Sequence, residues 1–149
     1  MNGNLAYALL AIGAGACIAL QASANGMFRR NLDDPWYAAF FSICGTGLTA
    51  LALMLLFRPT APPMEAVRST QWWNWVGGPL GAMIVLAGAA LTPRLGAAAF
   101  IGFVVGGQLL CSVLLDHFAL MGLPEQPITW GRAGGAGLVV AGMLCIKYL

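Results

Sequence analysis

Charged side chains are scarce in this chain of 149 residues. Only 8% of the residues are charged and 60% are hydrophobic, whereas a typical soluble domain has about 25% charged and about 45–50% apolar residues. So few charges do not cover the wetted surface that a soluble domain needs. The net charge of +2 is also too small and too scattered for a nucleic-acid interface. The composition excludes a secreted enzyme, a nucleic-acid binder and a disordered regulator, and it predicts a membrane domain.

Residues suited to catalysis or metal binding are equally few. The chain has one histidine, and no charged residue lies at the centre of a long hydrophobic stretch. The cysteines lie singly in apolar stretches without metal-ligand spacing, so we expect unpaired, small, buried side chains. They are Cys17, Cys44, Cys111 and Cys145. This inventory predicts no catalytic residues, no metal site, no cofactor and no enzymatic activity.

Long apolar stretches are what the sequence does contain. A spanning helix needs roughly 20 apolar residues, because the hydrocarbon core is about 30 Å thick. Five stretches qualify and predict an all-α membrane protein with one transmembrane domain over residues 1–149. They are about 5–27, 36–57, 72–91, 95–115 and 131–149. The first has no basic region before it and is longer than a signal-peptide core, so we expect it to remain in the protein.

The connections between these stretches are short and contain recognisable boundary signals. Asp34 and Pro35 predict a helix N-cap followed by proline in the first helical position. Residues 92–94 predict a tight turn between the third and fourth helices. Tryptophans cluster at expected membrane–water boundaries, where amphipathic rings are favoured. They are Trp72, Trp73, Trp75 and Trp130.

Basic residues are nearly balanced between the two sides that five spans would define. Three lie on one side and four on the other, although every connection is short enough to influence orientation. The two groups are Arg58, Arg68 and Arg132, and Arg29, Arg30, Arg94 and Lys147. Such balance predicts dual topology, in which copies insert in both orientations. The alternative is one orientation fixed by a partner or by local charge placement.

Glycine and proline predict two interruptions within the spans. One is Gly77-Gly78-Pro79, one turn into the third span, and the other is Gly106-Gly107, near the middle of the fourth. Freed backbone groups at membrane depth are tolerated only inside protein or beside a water-filled cavity, so broken spans indicate a substrate path. The alternative is that both are kinks that serve packing.

Polar side chains form stripes on three of the predicted helices. Gln21 and Asn25 share a face of the first helix, as do Gln108 and Ser112 of the fourth. These four predict the polar lining of a substrate pathway, and the alternative is interhelical hydrogen bonding. Phe100 or Phe103 could supply an apolar wall of that pathway, and the alternative is that these rings face lipid. Ser42, Thr46 and Thr49 of the second helix are expected to bond to helix backbone or neighbouring helices instead.

Three polar residues flank the last connection. Asp116 ends the fourth helix, where the helix macrodipole disfavours a negative charge, so it should require a cation. Arg132 begins the fifth helix on the same side, and His117 is adjacent. We expect an Asp116–Arg132 ion pair that closes this helical hairpin, with proton coupling as the alternative role.

Several runs of the sequence resemble the YdcZ-like proteins, five-helix bacterial membrane proteins of the drug/metabolite transporter superfamily. These runs are residues 106–110, 115–118 and 121–124, with Arg132 and Gly134-Gly135, supported by Gln21, Asn25 and residues 75–81. One departure is Ala119, where the resemblance leads us to expect glycine. The last helix is also similar to the dimer-forming helix of small multidrug exporters, which places Gly135, Gly137 and Gly142 at a dimer interface.

The resemblance implies a transporter subunit in the bacterial inner membrane. Such subunits occur as dual-topology homodimers, paired genes or ten-helix fusions, so we expect half of an inverted, antiparallel ten-helix dimer that moves a small polar or amphipathic solute by alternating access. Its partners would be membrane lipid, a second copy and the solute, without nucleic acid. The alternatives are a dual-topology ion channel, one subunit of an obligate heterodimer, or an accessory subunit without transport activity.

Overall fold

The computed structural model describes the backbone of residues 2–149 and the side chains of residues 4–149, and this part of the chain contains no strand. The α-helices are α1 (Asn2–Leu32), α2 (Pro35–Phe57), α3 (Met64–Arg68), α4 (Gly77–Leu95), α5 (Ala97–His117) and α6 (Trp130–Tyr148). Two short 3-10 helices are Trp72–Trp75 and Leu120–Gly122. The all-α prediction is therefore confirmed, and α3 and the 3-10 helices were not expected.

Four segments of the described chain are long and apolar enough to cross a membrane. They are Asn4–Leu32, Pro35–Phe57, Trp72–Leu95 and Ala97–His117. These coincide with the first four predicted spans. The last helix, α6, has 19 residues and contains Arg132 and Lys147, and it is not among the four.

The chain divides into two compact units, Met1–Arg94 and Leu95–Leu149. The first contains α1 to α4 and the second contains α5 and α6, and each is described by itself. The prediction of one transmembrane domain over residues 1–149 stays a prediction.

In the first unit, α1 packs against α2 across a short turn. Asp33 adopts a left-handed conformation, with φ of 55°, that reverses the chain. The Asp34 carboxylate then accepts hydrogen bonds from the backbone N–H groups of Trp36 and Tyr37, at 2.6 and 3.1 Å. Pro35 occupies the first helical position, where its missing N–H removes no helical bond. The predicted N-cap is confirmed.

Helix α1 extends five residues past the expected end of the first span. Arg29 and Arg30 lie in its last turn, where positive charge is favoured by the helix macrodipole. Charge therefore stabilises this helix end, and the prediction that these two arginines lie in a connection is wrong.

Pro93 lies inside α4, so the predicted tight turn at residues 92–94 is wrong. The helix tolerates proline here because Pro93 lies in the last turn, and only the bond to the carbonyl of Ala89 is lost. The reversal occurs instead at Gly96, whose φ of 85° is readily adopted only by glycine.

The third span changes helix type near the expected interruption. Its first turn is the 3-10 helix Trp72–Trp75, and α4 begins at Gly77. Gly77, Gly78 and Pro79 form the first turn of α4, where backbone N–H groups have no intrahelical acceptor in any case. The span Trp72–Leu95 therefore changes from 3-10 helix to α-helix one turn in, and a role of these residues in a substrate path stays a prediction.

In the second unit, α5 packs against α6 through glycine. A Cβ placed on Gly102 would lie 3.5 Å from Met143 Cβ, and one on Gly106 would lie 2.9 Å from Met143 Sδ. Helix α5 runs without interruption from Ala97 to His117, so the predicted break at Gly106 and Gly107 is wrong. Gly106 serves close helix approach, as small residues do in membrane proteins.

Small residues dominate what the described chain buries. Apart from Phe100, the buried hydrophobic residues are alanines: Ala22, Ala38, Ala39, Ala89, Ala99 and Ala136. Helices that approach through alanine and glycine leave larger side chains outside the contact. For this reason the four cysteines, which are free as expected, are exposed and not buried; that part of the prediction is wrong.

Candidate substrate-binding site

The polar residues of α1 lie on one face of the helix but in different surroundings. Gln21 is exposed, whereas Asn25, one turn later, is 5% exposed. Asn25 belongs to a buried strip with Ala22 and Gly26, and these residues fall on one side of a helix with about 3.6 residues per turn. Asn25 is therefore the deepest amide of the predicted pathway residues.

The buried strip of α1 contacts the carboxyl-terminal turn of α4. A Cβ placed on Gly26 would lie 3.3 Å from Pro93 Cδ and 3.4 Å from Thr92 Cβ. A Cβ at such a distance would require its neighbours to shift by a few tenths of an ångström, so glycine at position 26 favours the close approach. The contact brings the α4 face that carries Thr92, which is 8% exposed, against the α1 face that carries Asn25.

Three polar atoms on these two faces are buried and have no hydrogen-bond partner among the described residues. They are Asn25 Nδ2, Arg29 Nε and Thr92 Oγ1. More than about 90% of buried polar groups in proteins are satisfied. Three unpartnered atoms on the two contacting helices make this contact a candidate position for a polar ligand group.

Arg29 and Thr92 were not among the predicted site residues. They were assigned to connections, because the spans were expected to end before each of them. The signal that could have identified Arg29 is its spacing from Asn25: four residues apart on a helix, they continue the Gln21–Asn25 stripe. Thr92 required the contact between α1 and α4, which no sequence spacing predicts.

The polar residues of α5 lie in the second unit and face away from α6. Gln108 and Ser112 are both exposed, and Gln108 lies about 200° around the helix from Gly106, which contacts Met143 of α6. Phe103 is half-buried and lies on neither polar face. Their pathway role stays a prediction.

The hydroxyl groups of α2 bond to their own helix. Thr46 Oγ1 donates to the carbonyl of Ser42 at 3.1 Å, and Thr49 Oγ1 donates to the carbonyl of Gly45 at 2.9 Å. Back-bonding of this kind satisfies the hydroxyls without a ligand. The backbone bonding expected for Thr46 and Thr49 is confirmed.

A hydrogen-bonded network joins the carboxyl end of α5 to the amino end of α6. Arg132 Nη2 pairs with Asp116 Oδ2, and Arg132 Nη1 donates to the carbonyl of Gln126 at 2.6 Å. The backbone N–H of Gln126 donates to the carbonyl of Asp116 at 2.8 Å. The arginine thus supplies the cation that a carboxylate at a helix carboxyl end requires.

The remaining predicted member of this group, His117, also contributes to the connection. Its Nδ1 accepts a hydrogen bond from the backbone N–H of Ile128 at 3.4 Å. Thr129 caps α6 by accepting from the backbone N–H of Arg132 at 3.3 Å. The network holds the connection in place, and a coupling role for Asp116 and His117 stays a prediction.

The glycines predicted at a dimer interface do not share one face of α6. Gly135 and Gly142 are two turns apart and lie on the same side, but Gly137 lies about 140–160° away from both. Nothing lies within 4 Å of a Cβ placed on any of the three. Gly142 lines a shallow groove between α5 and α6 with Ile101, Val105 and Val139. One flat helix contact can therefore contain Gly135 and Gly142 but not Gly137 as well, and the interface role of all three glycines stays a prediction.

One protein family accounts for nearly the whole chain. The sequence profile of the DMT_YdcZ family, described as "Putative inner membrane exporter, YdcZ", matches residues 6–145. The chain belongs to the YdcZ family. No curated protein and no solved structure matches the chain.

Membership of the YdcZ family confirms the class that the sequence resemblance implied. The chain is a multi-pass protein of the inner membrane, and it is a membrane transporter whose family description is an exporter and not an enzyme. Within the described residues of this YdcZ-family chain, no group of three His, Cys, Asp or Glu side chains could hold a metal ion. The polar α1–α4 contact is the best candidate for a substrate-binding site.

Proposed function

We propose that the chain is a subunit of an exporter that works as an antiparallel homodimer and moves a small polar or amphipathic solute by alternating access. Membership of an exporter family supports the transport class. The homodimer and the alternating-access mechanism are proposed on physical grounds.

Exposed amides within the candidate spans are the observation that carries this proposal. Gln21 and Gln108 lie well inside α1 and α5, and both are exposed on the single chain. An amide without a partner in hydrocarbon costs several kcal/mol. A second copy that covers these amides, with a solute or water path between the copies, would remove that cost.

The proposal takes α6 as a fifth span. Its 19 residues extend roughly 28 Å at about 1.5 Å per residue, close to the hydrocarbon thickness. Arg132 and Lys147 lie near its two ends, where long basic side chains reach the interface. Five spans place the chain termini on opposite sides, so two copies in opposite orientations form an inverted repeat.

The exposed face of α6 supports a contact with a second copy. Gly135 and Gly142 leave open space on one side of the helix, and close backbone approach through glycine drives helix association in lipid. The groove at Gly142 would receive the partner helix.

The experiment compares two glycine variants on opposite faces of α6. Gly142→Leu should convert the purified dimer to monomer, measured by size-exclusion chromatography with light scattering, and should abolish uptake by proteoliposomes. Gly137→Leu introduces the same side chain on the other face, and it should leave the dimer intact. Equal effects of both variants, or a wild-type monomer, would contradict the dimer.

Uptake by proteoliposomes of the purified single chain separates the transporter from a channel. A panel of polar and amphipathic metabolites should yield at least one solute with saturable uptake that responds to an imposed ion gradient. Fast, non-saturating and uncoupled flux would indicate a channel instead. Absence of flux without a second gene product would indicate an obligate heterodimer or an accessory subunit.

A further inference from the structure

All three unpartnered atoms of the α1–α4 contact can donate a hydrogen bond. Asn25 Nδ2 and Arg29 Nε can only donate, and Thr92 Oγ1 can donate as well as accept. Asn25 and Arg29 lie one turn apart on α1, and the intervening Gly26 approaches Thr92. The contact therefore contains three unpartnered groups that can donate, and a ligand group rich in acceptors would satisfy them.

The charge of the contact is positive and uncompensated. Among the described residues, no carboxylate lies within 4.0 Å of the Arg29 side-chain nitrogens. The ion pair of the described chain joins Asp116 and Arg132, in the second unit. The Asp34 carboxylate, five residues after Arg29 in the sequence, accepts two backbone N–H groups as the N-cap of α2. A guanidinium next to an amide and a hydroxyl is suited to a carboxylate or phosphate.

We infer that Asn25, Arg29 and Thr92 form a binding site for the oxyanion group, carboxylate or phosphate, of a small solute. This inference rests on the proposed function, because it makes the exported solute an anion. A phospholipid phosphate offers the same chemistry from a second source, so the experiment must separate solute from lipid.

The test uses the full-length protein in nanodiscs of digalactosyldiacylglycerol, a neutral lipid without phosphate, with isothermal titration calorimetry. The probes are benzoate, its uncharged analogue benzamide, and inorganic phosphate. Benzoate or phosphate should bind saturably, and benzamide should bind at least tenfold more weakly. Hydrogen bonds to charged groups are strong enough that Arg29→Gln should weaken anion binding about 10- to 100-fold.

Arg30→Gln is the matched control. It removes the same charge from the adjacent position, which is exposed, and it should change anion affinity less than twofold. Thr92→Val keeps the shape of the side chain but removes the hydroxyl, and it should weaken binding about fivefold. Arg29→Lys keeps the charge without the guanidinium Nε and should restore part of the affinity lost in Arg29→Gln. Thermal melting verifies that each variant is folded.

Three results would overturn the inference. The first is equal weakening by Arg29→Gln and Arg30→Gln, which would indicate diffuse charge. The second is binding of benzamide as strong as that of benzoate. The third is Arg29-dependent retention of phosphatidylglycerol, measured by native mass spectrometry, without binding of benzoate or phosphate, which would assign the oxyanion to lipid.

The test of the anion site can fail or succeed independently of the test of transport. Binding in nanodiscs requires no flux, so anion binding without uptake by proteoliposomes would support the site and contradict the transporter. Saturable uptake of cations or neutral solutes, unchanged in Arg29→Gln, would support the transporter and contradict the site.

Discussion

Removal of the Asp116–Arg132 pair should destabilise the protein in a non-additive way. Both side chains are 29% exposed, so the pair is partly screened, and each charged hydrogen bond should contribute about 1 kcal/mol, below the range of about 1.5–3 kcal/mol for unscreened ones. Arg132→Gln loses the ion pair and the bond to Gln126, which should cost about 2 kcal/mol. Asp116→Asn should cost about 1 kcal/mol, because the amide still accepts a hydrogen bond and relieves the negative charge at the helix end.

The double variant should lose about 2 kcal/mol, where independent sites would lose about 3 kcal/mol. The measurement is SDS-induced unfolding in mixed micelles, followed by circular dichroism at fixed protein concentration. The control is the same cycle on Glu65 and Arg68 of α3, which form no ion pair within the described chain, and their coupling should be close to zero. Strict additivity at Asp116 and Arg132 would refute the pair. Lost transport with unchanged stability in Asp116→Asn would favour a coupling role.

Two further changes test the local geometry. Ala119 has a φ of 49°, a left-handed conformation that costs roughly 1–2 kcal/mol for a residue with a Cβ. Ala119→Gly should therefore raise the free energy of unfolding by about 0.5–1 kcal/mol after the added chain entropy is deducted. The control, Ala50→Gly inside α2, should lower the free energy of unfolding by about 1 kcal/mol. A loss of stability in both variants would contradict the left-handed conformation of Ala119. Gly106→Leu should lower the free energy of unfolding by about 1–3 kcal/mol through its clash with Met143. The adjacent Gly107→Leu, which meets open space, should lower it by less. Equal losses would contradict the α5–α6 contact.

The positions of the long helices were predictable because the required apolar length is set by the bilayer. The exact ends were less predictable. Arg29 and Arg30 were taken as loop residues, yet positive charge stabilises a helix carboxyl end, and α1 continues to Leu32. Pro93 was taken as a turn, yet proline in the last turn removes one bond, and α4 continues to Leu95.

Tertiary contacts explain the remaining differences at the candidate site. Asn25 was identified from its spacing with Gln21 alone. The contribution of Thr92 depends on the approach of α4 to Gly26, a contact between residues that are far apart in sequence. A break at Gly106 is the prediction from glycine's backbone freedom, but α5 is uninterrupted there and Gly106 lies against Met143 of α6. Local sequence patterns contain no information about which neighbour a small residue will meet.

The orientation of the chain tests the central claim most directly. A cysteine placed after Leu149, in a variant in which the four native cysteines are serine, can be labelled with a membrane-impermeant maleimide before and after membrane permeabilisation. The three-to-four balance of basic residues predicts that comparable amounts of the carboxyl terminus lie on each face of the inner membrane. Labelling from one face only, in cells that express this chain alone, would contradict the antiparallel homodimer.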